Sequence, residues 1–307
     1  MMSNTPQSVF NRQHVRSRRS RASSSYQQVE FIKSRVLEDI EDRILSTGRK
    51  FSRALCLGGY SEAVETMMAP YCETLITTDF SASRLQAGQS VAVDEEWLPF
   101  AEHSFDLIIS PLALHWVNDL PGTLIQIRHC LKPDGFFIAA MPGGASLHEL
   151  RQVMLQAETD IRGGADMRVS PFADALDMSG LLQRAGFTLP VSDRDRLTIR
   201  YDNIFKLFQD LQNAGETHAP DGQRNPLSQR ILMRAAELYQ SEFADADGRI
   251  RATLDLVWMT GWSPHDSQPK PKRPGSARAS LAEALGTKER SAGETTGRLK
   301  GTEPKKD

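Results

Sequence analysis

Between residues 53 and 141, short apolar runs alternate with helical stretches, and few folds accept that pattern. The runs are 53–57 (RALCL), 74–79, 91–93, 105–110 (FDLIIS) and 135–141 (GFFIAAM). Strands this apolar must be covered on both faces, and strands alternating with helices form parallel sheets. The connections read as helices. One spans about 61–69 and stops at Pro70. Another carries Leu124, Ile127 and Leu131 and stops at the Lys132-Pro133-Asp134-Gly135 turn signal. A helix also precedes the first run, with Val29, Ile32, Val36, Ile40 and Ile44 on one face and Gly48 as its end signal. Residues 28–145 are therefore expected to form a doubly wound α/β core. Such sheets bind ligands at the carboxyl ends of their strands.

Residues 146–263 change character. Ser146-Leu147-His148-Glu149 reads as a capping box opening a helix with Leu147, Leu150, Met154 and Ala157 on one side. Helices are expected near 177–185, 204–211 and 227–239, and strands at 196–201 and 251–262. These strands complete the same sheet, and the helices cap its open rim. Residues 1–27 form a basic arm with Arg12, Arg16, Arg18, Arg19 and Arg21 and no acid between them. A solvated arm is the expectation; a transit peptide and a nucleic-acid arm are the alternatives. Residues 264–307 read as an extended Pro- and Lys-rich segment and a polar, disordered tail.

Composition narrows the function classes. The formal net charge of −2 in 307 residues argues against a nucleic-acid partner. No apolar run approaches the ~20 residues of a membrane span. Cys56, Cys72 and Cys130 are too widely spaced for a zinc site or a disulfide framework, which suits a reducing compartment. His103, His115, His129, His148 and His265 are scattered, and no His-x-Asp or His-x-Glu is present, so no metal site is expected.

The cofactor candidates lie on consecutive strand ends. Gly58-Gly59 turns the chain after the first run, where a ligand can approach backbone and a helix start offers free N–H groups. Asp79 closes the second run 21 positions after Gly58, a place suited to ribose hydroxyls. Asp94 and Glu95 close the third and suit a purine amino group. Ser110 closes the fourth. His115, just beyond, is the candidate catalytic residue; the alternative is a helix-start residue bonded to backbone. Trp116 reads as packing. Arg151, Glu158 and Arg162 share a helix side that faces either the cleft or solvent, and His265 lies in a stretch without a packing period.

Several motifs carry a resemblance. Asp94-Glu95-Glu96-Trp97-Leu98-Pro99-Phe100, Leu114-His115-Trp116-Val117-Asn118-Asp119-Leu120-Pro121 and Leu131-Lys132-Pro133-Asp134-Gly135 resemble class I S-adenosylmethionine (SAM) dependent methyltransferases, including the malonyl-carrier-protein methyltransferases. Arg162-Gly163-Gly164, Ser170-Pro171-Phe172, Gly215-Glu216 and Gly261-Trp262-x-x-His265-x-Ser267-Gln268 resemble one branch, the mitochondrial complex I assembly factors described as arginine hydroxylases, with their bacterial relatives. The resemblance runs from about residue 9 to 285. It implies a Rossmann-like seven-stranded methyltransferase sheet and SAM as cofactor. It also implies a protein substrate such as a complex I subunit, acted on in the bacterial cytoplasm or on the mitochondrial matrix side. Methyl transfer is the principal reading; arginine hydroxylation on the same fold and a catalytically degenerate assembly factor are the alternatives. The chain departs from the family at the glycine motif, acid-x-Gly-x-Gly-x-Gly. Cys56 replaces the acid, and Tyr60 and Glu62 fill the later glycine places unless two residues are deleted. Glu62 is then expected near the carboxylate of SAM, an unfavourable pairing of like charges.

Overall fold

The computed structural model describes residues 8–85, 88–219, 221, 225–269 and 280–288. The strands are β1 (Phe51–Leu57), β2 (Cys72–Asp79), β3 (Ser90–Ala92), β4 (Phe105–Pro111), β5 (Leu131–Pro142), β6 (Thr188–Tyr201) and β7 (Ile250–Trp262). Among the described residues they form one sheet in the order β3-β2-β1-β4-β5-β7-β6. The first five are parallel. β7 enters antiparallel between β5 and β6.

Alternation along β1 divides the core. Leu55 and Leu57 pack on one face with Ile108, Phe137, Leu124 and Ile127. Ala54 and Cys56 pack on the other with Ile109, Ile138, Val36, Ile40 and Ile44. Helix α2 (Glu30–Ser46) and the short α3 (Glu62–Met68) cover that second face. Helices α4 (Leu120–Cys130) and α6 (Ala175–Arg184) cover the first. A third cluster joins α5 (His148–Arg162), α7 (Ile204–Ala214) and α8 (Gln229–Phe243), through Leu150, Met154, Leu207, Ile231 and Tyr239. This is the cap over the rim.

Three elements differ from the sequence reading. β5 starts at Leu131, before the expected turn, because the strand absorbs 132–135 as an irregularity with Asp134 at φ 62°. β6 runs for 14 residues instead of six, since β7 supplies partners from Val191 to Tyr201 and again at Thr188. The basic arm is solvated only in part: Arg16 and Arg21 are exposed, but Arg19 is not. Helix α1 (Arg12–Ala22) turns Val15, Arg19 and Ala22 inward, and Arg19 is only 2% exposed. Carboxylates elsewhere in the fold, described below, take up the charge of Arg12 and Arg19.

The described residues divide into two units, one ending at Asp266 and one beginning at Ser267. In the second, a one-turn helix spans Leu281–Ala284. The expected tail beyond residue 288, and residues 270–279, lie outside the described residues.

Candidate functional site

The carboxyl ends of β1, β2 and β4 open onto a cavity of about 130 Å³ whose lining includes Gly58, Asp79, His115, Arg19, Lys33 and Glu216. The backbone explains Gly58. It turns at φ +73°, and an added Cβ would stand 2.6 Å from the Ala113 Cβ. A Cβ on Gly59 would stand 3.0 Å from the Cys56 sulfur and from Thr77, but Gly59 is not part of the cavity lining. The loop is tied from below. Lys33 Nζ on α2 donates to the carbonyls of Gly58 (2.6 Å) and Tyr60 (3.2 Å). Burial pushes the Lys33 amine down to about 8. Tyr60 donates its hydroxyl to the Ser23 carbonyl at 2.7 Å. Ser61 then caps α3, accepting from the Ala63 N–H.

Asp79 is 3% exposed and accepts the Ser81 N–H at 2.8 Å through Oδ1. It lines the cavity; Asp94 and Glu95 do not. They are taken by the arm. Arg12 donates to Asp94 Oδ1 and Glu95 Oε2, both at 2.5 Å, and Arg19 donates to Glu95 Oε1 at 2.6 Å. Burial works against the Glu95 charge, but the two guanidinium groups hold its carboxyl below the usual range. Arg12 also lies 4.3 Å over the ring of Phe80, the residue after Asp79. Ser110 is fully buried, its hydroxyl unpartnered, and it does not reach the cavity.

His115 is bonded to a carboxylate, not to backbone. Its Nε2 and the Trp116 Nε1 each meet Glu216 Oε2 at 2.7 Å. Burial opposes the Glu216 charge; His115, Arg19 and Trp116 overcome it and bring the carboxyl down to about 2. His115 Nδ1 is buried without a partner. Trp116 is packed, 2% exposed and edge-on to Phe10 at 5.2 Å. A second cavity, about 310 Å³, shares Leu147, Phe172, Leu211 and Glu216 with the first and runs under the cap.

The remaining sequence candidates fall elsewhere. Glu62 is exposed in the first turn of α3 rather than beside the cavity, because the tied loop starts the helix outward. Glu158 is fully buried in an ion cluster with Arg162 and Arg168. Arg151 bonds the Gly144 and Ser146 carbonyls. His265 is exposed. Sequence reasoning gave no role to Arg19, Lys33 and Glu216. A signal existed for two of them. Lys33 interrupts the apolar stripe of α2, four residues after Val29 and three before Val36, and Arg19 stands likewise between Val15 and Ala22. A charge on a buried stripe is held by a partner or does work.

The methyltransferase-domain family matches residues 55–139. The chain is 38% identical over 285 residues to "Arginine-hydroxylase NDUFAF5, mitochondrial" of Danio rerio, covering 90% of this chain and 89% of that protein. It is 33% identical over 189 residues to the malonyl-[acyl-carrier protein] O-methyltransferase of Gallionella capsiferriformans, 61% of each chain. The YcgJ crystal structure from Bacillus shares the fold, with a TM-score of 0.51 at 14% identity, over 73% of this chain and 97% of that one. Sequence identity sustained over nine-tenths of the chain, on a sheet of matching fold, makes this chain a member of the NDUFAF5 arginine-hydroxylase family, with a methyltransferase domain at its core.

Proposed function

We propose that the chain binds SAM over the Gly58 turn and modifies a side chain of a protein partner in the assembly of respiratory complex I. The observation that carries the reading is Asp79, a buried carboxylate at the end of β2 that lines the cavity beside a glycine with positive φ. Carboxylates there accept ribose hydroxyls. The group supplies a methyl on a sulfonium when bound. Arginine, named for the relatives, is the leading acceptor side chain. The second cavity, which shares Glu216 and Phe172 with the first, is the place on the cap side from which an acceptor would approach. The site of action is the matrix side in a mitochondrion and the cytoplasm in a bacterium.

The residues fit SAM only in part. Gly58 and Asp79 suit the ribose end. The purine end does not fit as arranged, because Arg12 and Arg19 hold Asp94 and Glu95. The cavity of about 130 Å³ is also smaller than the roughly 300 Å³ at which small-molecule sites begin.

Calorimetry with SAM and with S-adenosylhomocysteine tests the proposal. Binding to the wild type and at least tenfold weaker binding to Asp79→Asn is the expected result. At 100-fold excess over Kd the ligand should add ~2.7 kcal/mol of stability. No heat and no thermal shift at millimolar ligand would favour the second reading, an assembly factor that works without the cofactor. The short Gly58 loop, tied by Lys33 and Tyr60, supports that reading. Rescue of complex I assembly by Asp79→Asn would then confirm it.

A further inference from the structure

We propose that Arg12 is a built-in occupant of the purine seat, and that a nucleoside ligand must displace it. The inference rests on the cofactor reading above. The seat is defined by three things at the ends of β2 and β3: the face of Phe80, the Asp94 carboxylate and one oxygen of Glu95. The guanidinium takes all three. It is planar, it lies over the ring at 4.3 Å, and it donates to both carboxylates and to the Trp116 carbonyl at 3.1 Å. A purine with an exocyclic amino group offers the same combination, a flat π-face and an N–H donor.

Arg12 is the replaceable member of its cluster. Glu95 is 1% exposed and keeps Arg19 on its other oxygen, so removing Arg12 does not leave a bare buried charge. Arg19 is itself nearly sealed, with 3% of its side chain exposed, whereas Arg12 shows 13% and Asp94 27%. The Arg12 fit is also incomplete. Its Nε is buried without a hydrogen-bond partner, 3.8 Å from Glu96 Oε1. Asn11 caps α1 beside it, so Arg12 sits in the first helical turn, which can fray without unwinding the rest.

A plug and a lid predict opposite signs. S-adenosylhomocysteine is titrated calorimetrically into the full-length wild type, Arg12→Ala and Arg12→Lys. With a plug, Arg12→Ala binds at least tenfold more tightly than the wild type, and Arg12→Lys, a cation without the planar fork, falls between. Circular dichroism melts establish that each variant is folded. Limited trypsin digestion of the wild type, read by mass spectrometry, should give faster cleavage after Arg12 when the ligand is present. Equal or weaker binding by folded Arg12→Ala, or ligand-slowed cleavage after Arg12, overturns the plug while leaving the cofactor reading intact. No binding by the wild type or either variant removes both.

Discussion

One oxygen of Glu216 joins two neighbours in sequence, His115 and Trp116, at 2.7 Å each. Glu216 follows α7 and the other two follow β4, so this single atom fastens the cap to the rim of the sheet. The contact holds His115 at the edge of the first cavity, while Glu216 lines both.

That bond has a pH signature. The Glu216 carboxyl titrates near 2 in the fold against an ordinary value of 4.5. A lowered folded value stabilises above 4.5 and is lost as pH falls towards 2. Glu216→Gln should cost up to about 3 kcal/mol near pH 7, and the gap to the wild type should close through this acid window. Urea unfolding at pH 6, 4 and 3 measures it. A gap that does not change with pH would show that the carboxylate charge contributes nothing.

Lys33 gives the same sign in an alkaline window, for the opposite reason: burial disfavours its charge. The folded amine titrates near 8 and the ordinary value is 10.5. Between these values the unfolded chain binds more protons, so stability rises with pH. The wild type should gain on Lys33→Met, by on the order of 3 kcal/mol, as pH rises from 8 to 10.5. Paired denaturation curves at pH 7.5 and 10 would report it. A constant difference would mean that the amine is as easily charged inside as in water.

Gly58 and Gly48 form a matched pair. Both have positive φ, +73° and +65°, but a Cβ on Gly48 meets nothing within 4 Å. Gly48→Ala should cost about 1 kcal/mol from backbone strain alone. Gly58→Ala adds a clash with Ala113 and should cost about 2–3 kcal/mol. It should also weaken any ligand held over the turn. Equal costs for the two variants would argue that the Ala113 neighbourhood yields freely.

The parallel strands were legible because apolar runs broken by helical periods admit few other arrangements, and β1, β2, β4 and β5 lie where those runs are; their order in the sheet was not. Gly58, Asp79 and His115 were placed at the rim for the same reason, and they do meet at one cavity. The arm was not legible. Arg12 and Arg19 read as solvated because nothing near them in sequence is acidic, and their partners Asp94 and Glu95 lie 76 to 83 positions away. The same distance hid the diversion of those two acids from the cavity. Glu62 was misplaced because the course of the loop after Gly58 depends on Lys33, an anchor on a different helix.

The contacts on α1 fall in two sets. Arg12 and Arg19 reach Asp94 and Glu95, 76 to 83 positions on. Arg18 reaches the Thr217 and His218 carbonyls, and the Asn11 N–H reaches the Ala219 carbonyl at 3.0 Å, about 200 positions on. The second set closes the longer loop and carries the larger cost in chain entropy.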